Sequence, residues 1–198
     1  MYKIGVTGSI GSGKTTIAKI FTLFKIPVFD ADKTIKKILD RENVKKKLKK
    51  KWPMVIKRGG IDKLKLRKII FSDLHEKNKL QKLLYPFLEK EKIKFEEKNH
   101  KKEILVYDVP LIYETKSENN YDLIIVAYCK ENLQRKRVIN RDKISIDLFN
   151  KIINTQLSFQ EKKKYNPKVI NTSYLKLFIF FEIFLLLIRV LIKKKANR

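Results

Sequence analysis

Apolar and polar positions alternate over residues 2–7 (Tyr-Lys-Ile-Gly-Val-Thr) and then give way to glycine-rich sequence. That is the pattern of a short buried strand ending at a loop. Over residues 14–24 the period changes, with Ile17, Ala18, Ile20, Phe21 and Phe24 at helical spacing. Residues 27–30 (Pro-Val-Phe-Asp) read as a second strand and residues 32–39 as a second helix. This strand–loop–helix–strand succession opens a parallel α/β sheet. Residues 44–102 are different: highly charged, helical in pattern and without a convincing strand, with an apolar side that includes Leu64, Ile70, Phe71, Leu74, Leu80 and Leu84. They read as a helical insertion between sheet strands, interrupted at Trp52-Pro53, Gly59-Gly60 and Pro86. Strands resume at residues 104–108 and 122–128, and residues 131–140 form a basic helix. Ser145 caps a further helix over residues 146–157, and residues 168–170 supply a last, weak strand. No internal repeat is present.

The tail, residues 175–192, is strongly apolar and about as long as a membrane span. Glu182 and Arg189 interrupt it, and a charge near the centre of a span costs about 2.5–3.5 kcal/mol even on mild scales. Its spacing also suits a helix packed along a sheet, so a core helix is expected and a membrane span is not.

The chain has 198 residues, enough for one sizeable core with appended pieces, and 43% are hydrophobic, which excludes a disordered chain. One cysteine, Cys129, excludes an internal disulfide framework and a multi-cysteine metal site; it is expected to pack as a small apolar residue in a strand. No signal peptide opens the sequence, so a cytoplasmic setting is the expectation. The formal net charge is +26, yet only 8 of the 47 basic residues are Arg. Lysines run from Lys3 to Lys195 beside abundant Ile and Asn, which fits drift towards AT-rich codons better than a built polyanion surface. No specific nucleic-acid partner is expected, although a positive field attracts nucleotides in either case.

The chemistry begins in the first loop. Gly8-Ser9-Ile10-Gly11-Ser12-Gly13-Lys14-Thr15 satisfies every fixed position of G-x-x-x-x-G-K-[ST], between an apolar strand and an amphipathic helix. Glycines let the backbone curl so that its N–H groups point at phosphate oxygens, and the following helix adds its positive end. Lys14 can bridge the β- and γ-phosphates of ATP, and the Thr15 hydroxyl can ligate Mg²⁺. A GTPase would carry Asp-x-x-Gly and Asn-Lys-x-Asp elements, which are absent, and a motor ATPase would need a larger chain. A small-molecule kinase remains. Asp30-Ala31-Asp32 closes the second strand, on the rim that carries active sites in parallel sheets. Asp32 there can accept or orient an acceptor hydroxyl proton, while Asp30 serves equally well as a helix cap or as a functional carboxylate. Arg137 and Arg141 are four apart, on one helical face, where guanidinium groups can clamp phosphates; a solvated basic helix would read similarly.

These features together resemble the dephospho-coenzyme A kinase family. The resemblance runs through the loop from Thr7 to Thr16, Asp30-Ala31-Asp32, Gly59-Gly60-Ile61-Asp62 leading into Ile70-Phe71, and Val109-Pro110-Leu111-Ile112-Tyr113-Glu114. It continues through the helix from Gln134 to Arg141-Asp142, then Gln156 and Glu161-Lys162. It implies a P-loop core (residues 1–43, 103–130 and 166–198) with a five-stranded parallel sheet flanked by helices, a helical substrate-binding insertion (44–102) and a lid (131–165). It implies transfer of the ATP γ-phosphoryl to the ribose 3′-hydroxyl of dephospho-coenzyme A. Asp32, Lys14 and Arg141 would be catalytic, and Gly8, Ser9, Ile10, Gly11, Ser12, Gly13, Lys14, Thr15, Thr16 and Arg137 would bind ATP. Asp32, Pro110, Leu111, Tyr113 and Glu114 would meet the acceptor. The chain departs from the family pattern at Tyr85-Pro86, Asn166-Pro167, Lys63 and Asn171-Thr172-Ser173-Tyr174. Shikimate kinases and nucleoside monophosphate kinases, or a polyanion-binding protein, are the competing readings.

Overall fold

A computed structural model describes residues 1–57 and 60–196; Arg58, Gly59, Asn197 and Arg198 lie outside the description, as do the side chains of Arg67, Phe71, Ser72 and Leu74. The chain opens with β1 (Tyr2–Thr7), α1 (Lys14–Leu23), β2 (Val28–Asp30) and α2 (Ala31–Leu39). Next come α3 (Glu42–Lys51), a 3₁₀ turn (Pro53–Val55), β3 (Ile56–Lys57), β4 (Gly60–Ile61), α4 (Lys63–Ser72) and α5 (Leu74–Lys98). The remainder is β5 (Ile104–Asp108), β6 (Leu123–Tyr128), α6 (Glu131–Asp142), α7 (Ile146–Asn154), α8 (Phe159–Lys163), β7 (Lys168–Asn171) and α9 (Lys176–Ala196), with a 3₁₀ turn at Glu118–Asn120 before β6.

The chain divides into two compact units. The first comprises Met1–Phe29 and Lys101–Arg198. Its five-stranded parallel sheet runs in the order β2-β5-β1-β6-β7. Ile4 of β1 pairs with Val106 on one side and Leu123 on the other. Such a central strand is covered on both faces, which is why Ile4, Val6, Val106 and Ile125 are all fully buried. On one face, Ile17, Ile20 and Phe21 of α1 and Ile179, Ile183 and Val190 of α9 close over the sheet in a single cluster. On the other face, Ile112 and Tyr121 press so closely on Gly5 that a Cβ there would stand 2.7 Å from Ile112 Cδ1.

The second unit is Asp30–His100, a helical layer around Ile38, Leu48, Trp52, Val55, Leu66 and Leu80. The Trp52 indole N–H donates to the Glu76 carboxylate, and Arg41 pairs with Glu91 at 2.9 Å, which holds the Glu91 carboxyl below its ordinary range. Asp62 caps α4 by accepting from Lys65 N and also pairs with Lys57 at 2.7 Å.

Several expectations are corrected. The insertion does contain strand: Ile56 pairs with Ile61 and Lys57 with Gly60, in strands too short to show alternation. Pro86 does not interrupt α5, which runs through it. An internal proline costs about 3 kcal/mol, and burial of Leu80 and Leu84 in this core opposes that cost. The expected break at Gly59 lies outside the described residues. The helix after Ser145 stops at Asn154, with the Thr155 N–H returning to Ile152 O and the Gln156 N–H to Ile153 O. The final helix buries only one of its faces.

Candidate active site

β1 delivers the chain into the loop formed by residues 8–13, and α1 starts at Lys14. Gly13, the residue before α1, has φ 94°, and a Cβ there would stand 2.5 Å from Thr172 Oγ1. Gly11 has φ 76° and lies equally tight, with a Cβ falling 2.5 Å from Val138 Cγ2. Only glycine accepts both the left-handed backbone and the contact. Among the described residues no side-chain hydrogen bond caps the N-terminus of α1, and that positive end is of the kind that attracts anions. Lys14 Nζ, on the same turn, donates to Gly8 O at 3.0 Å.

The loop is braced from three distant parts of the chain. Gln134 Nε2 of α6 donates to Ile10 O at 2.6 Å, and Gln156 Oε1 accepts from Ile10 N at 2.9 Å. Thr172, 2% exposed beyond β7, donates through Oγ1 to Ser12 O at 2.6 Å. The same hydroxyl accepts from Arg137 Nη1 at 3.0 Å, and Arg137 Nη2 donates to Thr172 O at 2.8 Å. Arg137 therefore reaches the loop's support through Thr172. Arg141 pairs with Asp142 through Nε and Nη2, both at 2.9 Å, and its side chain is 60% exposed. Cys129 lies just past β6, buried, with Sγ 3.6 Å from Gly11 O. Burial pushes its thiol up, opposed in part by the Arg137 charge.

The chain leaving β5 turns beside the same loop. Val109 N donates to Val6 O at 3.0 Å, and Thr7 Oγ1 donates to Pro110 O at 3.0 Å. Leu111 O accepts from Thr115. Tyr113 is buried against Tyr165, ring centroids 4.4 Å apart, and its hydroxyl has no hydrogen-bond partner among the described residues. Burial, then the charge of Glu118 and Tyr165, raise the Tyr113 pKa to about 12. Glu114 Oε1 accepts from Leu157 N at 2.9 Å and lies 2.9 Å from Nζ of the fully buried Lys162. The lysine contact is an ion pair without hydrogen-bond angles. In the second unit, Asp30 caps α2 by accepting from Lys33 N at 2.7 Å, whereas Asp32 in the first turn is exposed and unpaired among the described residues.

A model of the dephospho-CoA kinase family matches residues 2–176. The chain belongs to that family. A dephospho-CoA kinase from Fusobacterium nucleatum is 35% identical over 176 residues, covering 87% of this chain and 91% of that protein. In fold, the crystal structure of TT1252 from Thermus thermophilus is similar with a TM-score of 0.83, covering 96% of this chain and 97% of that one. A dephospho-CoA kinase from Campylobacter jejuni aligns with a TM-score of 0.60 over 95% and 96% of the two chains. Both structures share 24% identity with this chain and bear on the fold alone.

In this kinase several residues escaped motif reading. Asp108 ends β5, is 7% exposed and pairs in register with Val6, one residue before Thr7 and the loop. Its signal was an acidic residue closing an apolar strand. Thr172 gave none, because its partners lie 35 and 160 residues away. Gln156 and Lys162 formed part of the resemblance without a role, and the structure gives each a partner.

Proposed function

We infer that this chain carries out the reaction of its family, transferring the γ-phosphoryl group of ATP to the ribose 3′-hydroxyl of dephospho-coenzyme A and releasing coenzyme A and ADP. What supports this most is the union of the family match over residues 2–176 with a phosphate loop braced on several sides. In this reading the N–H groups of residues 8–16 hold the phosphates and Lys14 spans the β- and γ-groups. Arg137 and Arg141 offset charge that develops during transfer. The donors near the loop, the Thr15 hydroxyl and the Asp108 carboxylate, are hard oxygens of the kind Mg²⁺ takes. These two residues would hold it, and the ion would supply neutralisation of phosphate charge.

Asp32 takes or orients the proton of the acceptor hydroxyl. Pro110, Leu111, Tyr113 and Glu114 form part of the acceptor wall, with Glu114 anchored through Lys162. Residues 44–102 act as the acceptor-binding insertion. Residues 131–165 act as a lid that closes over ATP and limits hydrolysis, so hydrogen exchange there should slow when both substrates bind. We place the enzyme in the cytoplasm, where ATP and its acceptor are dissolved.

The deciding assay is ATP consumption with dephospho-coenzyme A, shikimate and nucleoside monophosphates as rival acceptors. Turnover confined to dephospho-coenzyme A supports the reading, and faster turnover with a rival overturns it. The Lys14→Ala variant should fold and lose about 10²–10³ in rate.

A further inference from the structure

α9 is apolar on both sides, and only one side is covered. Ile179, Ile183, Leu187 and Val190 pack on the sheet. On the opposite arc Leu177, Phe181, Phe184, Ile188 and Leu191 follow at steps of four, three, four and three, each between 38% and 63% exposed. Phe178, Leu185 and Ile192 lie on the same arc at steps of seven, 63%, 55% and 62% exposed. A groove of about 300 Å³ continues this stripe, lined by Phe24, Ile26, Phe184 and Ile188, with Lys25 and Lys102 also in its wall. The match to the kinase family ends at residue 176, where α9 begins.

Basic charge predominates around the stripe. Glu182, the acidic residue of α9, is paired with Lys168 at 2.8 Å, and Lys194 is paired with Glu103 at 3.2 Å. Lys176, Arg189, Lys193 and Lys195 are exposed and basic, on a chain of formal net charge +26.

We propose that this face docks the protein peripherally on an anionic lipid bilayer, with α9 lying in the plane of the interface. Phenylalanine and leucine side chains enter the boundary between headgroups and acyl chains, and the flanking lysines meet lipid phosphates. Spanning is not involved: among the described residues no helix is long and apolar enough to cross a membrane. A second copy could cover the stripe, but it would bring two chains of +26 together. An anionic bilayer satisfies the apolar face and the charge at once.

The test is co-sedimentation of the full chain with vesicles of mixed phosphatidylglycerol and phosphatidylcholine, against vesicles of phosphatidylcholine alone. The parent should bind the anionic vesicles, and more weakly as salt rises. The Phe181→Ser/Ile188→Ser double variant leaves the charge unchanged and should bind about tenfold less or worse. Both positions are exposed, so its melting temperature and kinase turnover should match the parent's. Failure of the parent to bind anionic vesicles overturns the proposal, as does equal binding to neutral ones. Parent-like binding by the serine variant removes α9 from the contact. A parent that ignores vesicles but dimerises, and loses dimerisation in the serine variant, assigns the face to a second copy instead.

Discussion

Replacing Lys162 with Met should destabilise the kinase strongly, although the residue lies outside every phosphate-binding motif. Lys162 is fully buried, with Nζ 2.9 Å from Glu114 Oε1, and the Glu114 side chain is only 13% exposed. Methionine fills much of the lysine volume and removes only the charge. Among the described residues the carboxylate then keeps one bond, from Leu157 N, and its Oε2 is already buried without a hydrogen-bond partner. Removing one member of a buried pair costs about 3–5 kcal/mol, because the remaining charge is neither solvated nor neutralised. For a chain of this size each kcal/mol moves the melting temperature by about 2–4 °C, so the midpoint should fall by about 6–20 °C. The Lys162→Met/Glu114→Gln double variant should recover much of the loss, since neither partner is then a stranded ion. Thermal unfolding followed by circular dichroism, with urea titration as the equilibrium check, measures both. A single variant within about 1 kcal/mol of the parent, or a double variant whose loss is the sum of the singles, would refute the reasoning.

Asp32→Asn should abolish transfer while sparing ATP affinity, because asparagine keeps the size of this exposed first-turn side chain but cannot take a proton; a kcat within about threefold of the parent would move the role to Asp30. Thr172→Val removes the hydroxyl joining Arg137 to Ser12 O and should cost about 1–3 kcal/mol, with weaker ATP binding by calorimetry. Unchanged stability there would mean the brace contributes nothing. For Tyr113 the folded pKa of about 12 lies above the unfolded value of 10.0, so the folded protein holds this proton more tightly. The resulting stability is complete below pH 10.0 and is lost as pH rises through about 12. Absorbance titration should show a late tyrosine component that Tyr113→Phe diminishes, and an unchanged titration would place the shift elsewhere.

The phosphate loop and most of the sheet were legible from residue order because both depend on local pattern. β1 and β5 fall where the apolar runs placed them, and the helix begins at Lys14 as the motif required. The glycine spacing also identified the loop, since φ values such as 94° at Gly13 are ones that other residues rarely adopt. What holds that loop was not legible. Ile10 is gripped by Gln134 and Gln156, and Ser12 by Thr172, across 124 to 160 residues of chain. Hydrogen bonds at that separation have no period, so only the tertiary structure selects these partners from among many equivalent polar side chains. Lys162 is the sharpest case. Nothing in a run of Glu-Lys-Lys-Lys marks one lysine as buried, and burial is decided by where Glu114 stands. Pro86 and α9 show the same limit from the apolar side. Propensity argued for a break that packing overrides, and hydrophobicity could not say that one face of α9 meets the sheet while the other remains exposed. Local sequence determined which segments are strands, helices and phosphate loop, whereas contacts between remote segments decided which side chains are buried, paired or left to solvent.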